Sequence, residues 1–180
     1  MIKQSLVQIY TGQGKGKTTA ALGLAFRACG NGNRVLIYQF LKPAGLDLSE
    51  RRAAADCGLD IEMRAMKTSW DMLTSLDDLE VYKKTAAEIK TIITELRTAA
   101  ASGEYDMIIL DEIVFCESKG LAEFDDIKKL ITTRARGTEI VMTGRGASDK
   151  MIELADLVSE MRQIKHPFQK GIAARKGIEY

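Results

Sequence analysis

Tyr10-Thr11-Gly12-Gln13-Gly14-Lys15-Gly16-Lys17-Thr18-Thr19 decides how this 180-residue chain is read. A short apolar run, Leu6 to Tyr10, leads into it, and Ala20-Ala21-Leu22-Gly23-Leu24-Ala25-Phe26 follows with the composition of a packed helix. Strand, glycine-rich turn and helix, in that order, is the setting of a phosphate-binding P-loop. Glycines at 12, 14 and 16 remove side chains where the backbone bends, which lets its N–H groups face an anion. A helix starting near Lys17 adds unsatisfied N–H groups and the positive end of its dipole. Lys17 supplies a mobile charge and Lys15 a second cation. The Thr18 hydroxyl is placed to ligate a phosphate-bound Mg²⁺ or Mn²⁺, and Gln13 and Thr19 complete the cradle. Gly16-Lys17-Thr18 fit the pattern G-x-x-x-x-G-K-[ST], but Thr11 stands where its first glycine would be. The dinucleotide fingerprint G-x-G-x-x-G fails, because its last glycine would fall on Lys17.

A second stretch answers the first. Met107-Ile108-Ile109-Leu110-Asp111-Glu112 is four apolar residues running into an acidic pair, the pattern of a Walker B strand. Its carboxylates would emerge at the carboxyl end of a parallel strand, where ligands of open α/β sheets bind. Asp111 is expected in the shell of the metal, and Glu112 as its nearer ligand or an orienting group. Glu139 to Thr143 reads as a further strand, and Arg145, between Gly144 and Gly146 at the same edge, is placed to reach phosphate or substrate carboxylate or amide groups.

The remaining elements alternate between strand and helix. Val35 to Phe40 is nearly all apolar, as a parallel strand covered on both faces would be, and Lys42-Pro43-Ala44-Gly45 breaks it. Ser49 is expected to cap a short helix through Ala55 that ends at Gly58. Ile61 to Met66 makes a third strand. Leu79, Tyr82, Ala86, Ile89, Ile93, Leu96 and Ala100 recur in steps of three and four, so a long helix laid on the sheet is expected, stopped by Gly103. A helix over Ser148 to Ala155 leads to a last strand, Leu157 to Arg162, and then a polar tail containing His166 before Pro167. The whole chain, residues 1–180, is expected to fold as one α/β domain: a doubly wound, mostly parallel sheet flanked by helices, with a P-loop NTPase (RecA-like) core.

Composition narrows the function. Twenty-six basic and 25 acidic residues leave a net charge of +1 with no basic tail or stripe, so nucleic acid has no electrostatic footprint here. Three widely spaced cysteines, Cys29, Cys57 and Cys116, fit reduced thiols in the cytoplasm, not a disulfide frame. His166 is the one histidine, which excludes most zinc sites and any histidine-dependent triad. No apolar segment approaches the roughly 18 residues of a membrane span, and the N-terminus does not read as a signal peptide.

With these stretches placed, the sequence resembles the bacterial ATP:corrinoid adenosyltransferases. The resemblance rests on Thr11 to Ala21, Gln39-Phe40-Leu41-Lys42, Tyr105 to Glu112, Val141-Met142-Thr143-Gly144-Arg145-Gly146, and the block from Glu153 through Phe168, Gly171-Ile172 and Gly177-Ile178-Glu179. It implies that a corrinoid reduced to Co(I) attacks C5′ of ATP, forms a Co–C bond and releases inorganic triphosphate, as in adenosylcobalamin synthesis or salvage. It implies a nucleotide lying reversed in the loop, a flavoprotein reductant, a homodimer and a cytoplasmic enzyme. Lys15, Lys17 and Glu112 would be the catalytic groups, with Trp70 in a loop facing the corrinoid. Two departures stand out. Lys67-Thr68-Ser69-Trp70 has Thr68 where relatives carry an aromatic, and the first strand begins with almost none of the N-terminal extension of longer relatives. An ordinary P-loop ATPase or kinase, and a non-catalytic nucleotide- or corrinoid-binding protein, remain alternatives on the residues alone.

Overall fold

The computed structural model describes residues 4–179. Residues 1–3 and 180, which enter the expectations about the N-terminus and a single domain, lie outside it. Six strands form one sheet: β1 (Val7–Thr11), β2 (Val35–Gln39), β3 (Ile61–Ala65), β4 (Met107–Asp111), β5 (Glu139–Thr143) and β6 (Leu157–Glu160), in the order β3-β2-β4-β5-β1-β6. All five pairings are parallel, as the near-continuous apolar runs of the central strands require.

The helices are α1 (Lys17–Gly30), α2 (Ser49–Asp56), α3 (Leu79–Ser102), α4 (Ile113–Ser118), α5 (Phe124–Thr133) and α6 (Asp149–Leu154), followed by a 3₁₀ turn at Pro167–Lys170. Strand alternation divides the core in two. Val35, Ile37, Met107, Ile109 and Val141 face the alanine stripe Ala21, Ala25 and Ala28 of α1. Leu36, Tyr38, Ile108, Leu110, Ile140 and Met142 face the opposite layer, where Ile89, Ile93 and Leu96 of α3 and Ile127 and Leu130 of α5 pack. Small residues on α1 let that helix lie close to the sheet, so its first turn sits directly beyond the end of β1.

The long helix has the expected length, and Gly103 ends it in the left-handed region at φ 71°. Its buried stripe runs through Thr85, Ile89, Ile92, Ile93, Leu96 and Ala100, whereas Leu79 is exposed. The Asp78 carboxylate caps it, accepting from the N–H groups of Glu80 and Val81. Ser49 does not cap α2. Leu48 occupies the cap position without a side-chain bond, and its burial, rather than a hydroxyl, fixes the entry of that helix. Between Glu112 and Glu139, where no element is expected from the sequence, the chain forms α4 and α5. The final strand is shorter than expected, because the chain leaves the sheet after Glu160 to pass over the glycine-rich loop.

Candidate active site

Because every strand is parallel, the loop after β1 and the ends of β2, β4 and β5 meet on one edge. Gly16 takes φ 116° in open space, so there the glycine is needed for conformation. Gly12, at φ 96°, is needed for conformation as well, and both it and Gly14 allow a close approach. A Cβ on either would come within 2.6 Å of the Met161 carbonyl oxygen. The Gly14 N–H donates to that oxygen at 2.6 Å and Met161 N–H donates to Thr11 O at 2.8 Å, so this loop amide is engaged by the chain behind it.

Lys17 is buried and folds back over the loop, donating to Gly12 O at 2.9 Å and Gly14 O at 2.8 Å. Burial lowers its pKa and Arg145 adds to that, against the pull of Glu112 and Asp111. At the start of α1 the Thr18 hydroxyl donates to Asp111 Oδ1 at 2.8 Å. The same oxygen receives the Thr143 hydroxyl at 2.7 Å, and the other carboxylate oxygen receives Lys42 Nζ at 2.7 Å. Asp111 is 1% exposed, and these three donors satisfy its buried side-chain oxygens.

Glu112 differs from its neighbour. It takes φ 68°, its N–H donates to the Thr143 hydroxyl at 2.9 Å, and its side chain borders a cavity of about 550 Å³. Burial and then Asp111 push its pKa up, while Lys42, Lys17 and Arg145 oppose them. Lys15, Thr18 and Arg145 border this cavity too, and Gln13, Gly14, Gly16, Lys17 and Thr19 complete the loop's wall of it. Its far wall is the C-terminal segment, where Gln163, His166, Phe168 and Glu179 contribute. His166 Nδ1 accepts the Phe168 N–H at 3.2 Å.

Three expected site residues stand apart from that cavity. Gly12 lies under Met161 and Asp111 beneath the surface, while Trp70 sits in the core, 7% exposed, with its Nε1–H donated to Met72 Sδ at 3.2 Å. Thr68 borders a separate opening of about 640 Å³ beside Tyr38 and Arg64. Lys42 and Thr143 were not anticipated as site residues. Their position immediately past the end of β2 and at the end of β5 was the available signal.

The donor set suits a cation delivered on phosphate. Among the described residues no group of three or more His, Cys, Asp or Glu is gathered to hold a metal. Asp111 is committed to three protein donors, which leaves the Thr18 oxygen and the Glu112 carboxylate. Mg²⁺ carried by a nucleotide takes few protein ligands of this kind.

A parallel α/β sheet with a glycine-rich loop, a buried lysine and an acidic pair at its carboxyl edge defines a nucleotide-handling class of protein. The comparisons narrow that class. The sequence model of the family described as ATP:corrinoid adenosyltransferase BtuR/CobO/CobP matches residues 3–180, and the chain belongs to that family. It is 32% identical over 181 residues to the corrinoid adenosyltransferase of Escherichia coli K12, covering 99% of this chain and 87% of that one. The corrinoid adenosyltransferase CobA of Salmonella typhimurium is 30% identical over the same shares, and the Pseudomonas aeruginosa corrinoid adenosyltransferase is 31% identical over 99% of this chain and 85% of its own.

Proposed function

We propose that this chain transfers the 5′-deoxyadenosyl group of ATP to the Co(I) centre of a reduced corrinoid. In that reaction the cobalt electron pair forms the Co–C5′ bond, the C5′–O bond breaks, and inorganic triphosphate leaves with the bonding electrons. The observation that supports this best is the gathering of Lys15, Lys17, Thr18, Glu112 and Arg145 around one cavity, in a chain of this family over nearly its whole length. A nucleophile of that kind needs no general base, so the protein's work is positioning and neutralising the leaving group. Each tenfold in rate asks for about 1.4 kcal/mol of stabilisation specific to the transition state. Lys15 and Lys17 are the cations for the departing triphosphate. Mg²⁺, which would supply further charge neutralisation there, would be held by Thr18 and Glu112, with Asp111 orienting the Thr18 hydroxyl.

The reading extends to a P-loop that grips the phosphates so that C5′, not the γ-phosphorus, is presented. It also extends to a single domain working as a cytoplasmic homodimer in cobalamin biosynthesis and receiving electrons from a flavoprotein. Product analysis tests it. With MgATP, a corrinoid and a strong chemical reductant, the expected products are adenosylcorrinoid and triphosphate in equal amounts. ADP and phosphate would replace this reading with γ-phosphate chemistry, and binding without turnover would replace it with a carrier or regulator.

A further inference from the structure

Arg51, on α2, makes five hydrogen bonds, all to neutral oxygens. Its Nε donates to Gln39 Oε1 at 2.7 Å and its Nη2 to the Lys42 carbonyl at 2.8 Å. Its Nη1 gathers the carbonyls of Pro43, Ala44 and Leu46 at 2.9, 3.3 and 3.2 Å. The guanidinium is thus a clamp on the turn that leaves β2. The turn opens at Leu41, whose φ of 57° lies in the left-handed region, where a leucine is strained and must be held by its surroundings. The clamp is fixed to the sheet through Gln39, fully buried and aligned with Asp111 on the neighbouring strand.

The turn brings Lys42 Nζ to Asp111 Oδ2, while Asp111 Oδ1 holds the Thr18 and Thr143 hydroxyls. A continuous path of hydrogen bonds therefore runs from α2 through the turn and the carboxylate to the first turn of α1. We propose that Arg51 and Lys42 are positioning residues: Arg51 sets the turn, Lys42 pins the Asp111 carboxylate, and the carboxylate fixes the Thr18 hydroxyl with its oxygen free for a nucleotide-borne cation. The inference rests on reading the loop as a nucleotide site and adds two residues that act through Asp111 and Thr18. Lysine cannot replace Arg51 here, because one ammonium with three donors cannot span five acceptors that a planar fork reaches together.

Calorimetric titration with MgATP and with ATP in EDTA tests the relay without requiring any reaction. Arg51→Gln is expected to weaken MgATP binding about tenfold, as losing an outer partner does at metal sites, and to leave metal-free ATP binding unchanged. Lys42→Met should show the same selective loss, and Arg51→Lys should not restore affinity. Arg51→Gln added to Lys42→Met should cost nothing further, since residues acting in series are not additive. Equal losses for both forms of ATP, additive losses in the double variant, or full affinity in Arg51→Lys would each overturn the relay. If Arg51→Gln does not fold, Arg51→Lys and Lys42→Met carry the same test. An ADP-forming wild type would overturn the proposed reaction while leaving the MgATP comparison intact.

Discussion

The Gly14 N–H donates to the carbonyl oxygen of Met161 at 2.6 Å, which ties the glycine-rich loop to the segment that leaves β6. A Cβ at Gly14 would stand 2.6 Å from that oxygen and 2.8 Å from its carbon, both backbone atoms that cannot step aside. Gly14→Ala is therefore expected to lower the melting temperature by about 5 °C, the effect of overpacking by 1–3 kcal/mol in a chain of this size. It should weaken ATP binding as well, because the loop must shift. Gly23→Ala supplies the contrast. Gly23 is exposed within α1 with nothing near its missing Cβ, so alanine should stabilise by about 0.5–1 kcal/mol. Differential scanning calorimetry of the two variants checks both signs.

Thr143 links the two acidic residues, accepting from the Glu112 N–H and donating to Asp111. Thr143→Val keeps the shape and removes both bonds, leaving a part-buried N–H and a buried carboxylate oxygen each one partner short. A loss of about 1–3 kcal/mol is expected from denaturant unfolding, together with a marked fall in transfer rate. Thr143→Ser should restore both. A valine variant with normal stability and rate would show that the link has no role.

The central strands and the glycine-rich loop are legible in the sequence. Met107 to Asp111 and Val35 to Gln39 are buried on both faces, and continuous apolar runs announce that directly. The functional reading of Lys17, Thr18 and Glu112 was local, so a short stretch contained it. Lys42 was not legible, because its role depends on a turn bent at Leu41 and clamped by Arg51 from another element. Gly12 and Gly14 are expected to open toward an anion, and Gly14 does border the cavity, but the approach of Met161, far along the chain, is not visible in the sequence. Helix α4 is hard to read, since Ile113 to Cys116 is a short apolar run with no helical period to count, whereas Phe124, Ile127, Leu130 and Ile131 do carry the period of α5.

Glu88 ties α3 to the segment carrying Thr68 and Trp70, accepting from the N–H groups of Lys67 at 2.7 Å and Thr68 at 3.0 Å. Burial raises its pKa, but bonds from Thr68 and Lys67 outweigh that and hold it below the ordinary 4.5. A depressed carboxyl contributes stability that is full above its unfolded value and is lost as pH falls through the folded one. Trp70, the one tryptophan, reports on that segment. Its fluorescence should change as pH falls below 4.5 in the wild type. In Glu88→Gln that transition should be absent. An identical titration in the variant would assign the change elsewhere.

Lys17 spends its ammonium on the carbonyls of Gly12 and Gly14, and burial already disfavours its charge. Lys17→Met should therefore fold normally by circular dichroism. It should cut transfer by about a hundredfold or more, as loss of a preorganised charge-stabilising donor does. Near-normal turnover in a folded Lys17→Met would be fatal to the assignment of the loop.

Under the proposed function, Trp70 would act on corrinoid binding through what it supports. Its own side chain is 7% exposed, whereas Met72, which accepts its Nε1–H, is 50% exposed and Leu73 is 86% exposed. Asp71 fixes that turn by accepting the N–H groups of Leu73 at 2.8 Å and Thr74 at 3.0 Å, so two apolar side chains are held toward solvent. Trp70→Ala would hollow the core at about 3–5 kcal/mol and blur the measurement. Trp70→Phe keeps most of the volume and frees Met72. It is expected to raise the corrinoid KM several-fold while the ATP KM holds, and Leu73→Ser should do the same with no loss of thermal stability. Equal rises in both constants would mean that this segment serves the fold alone.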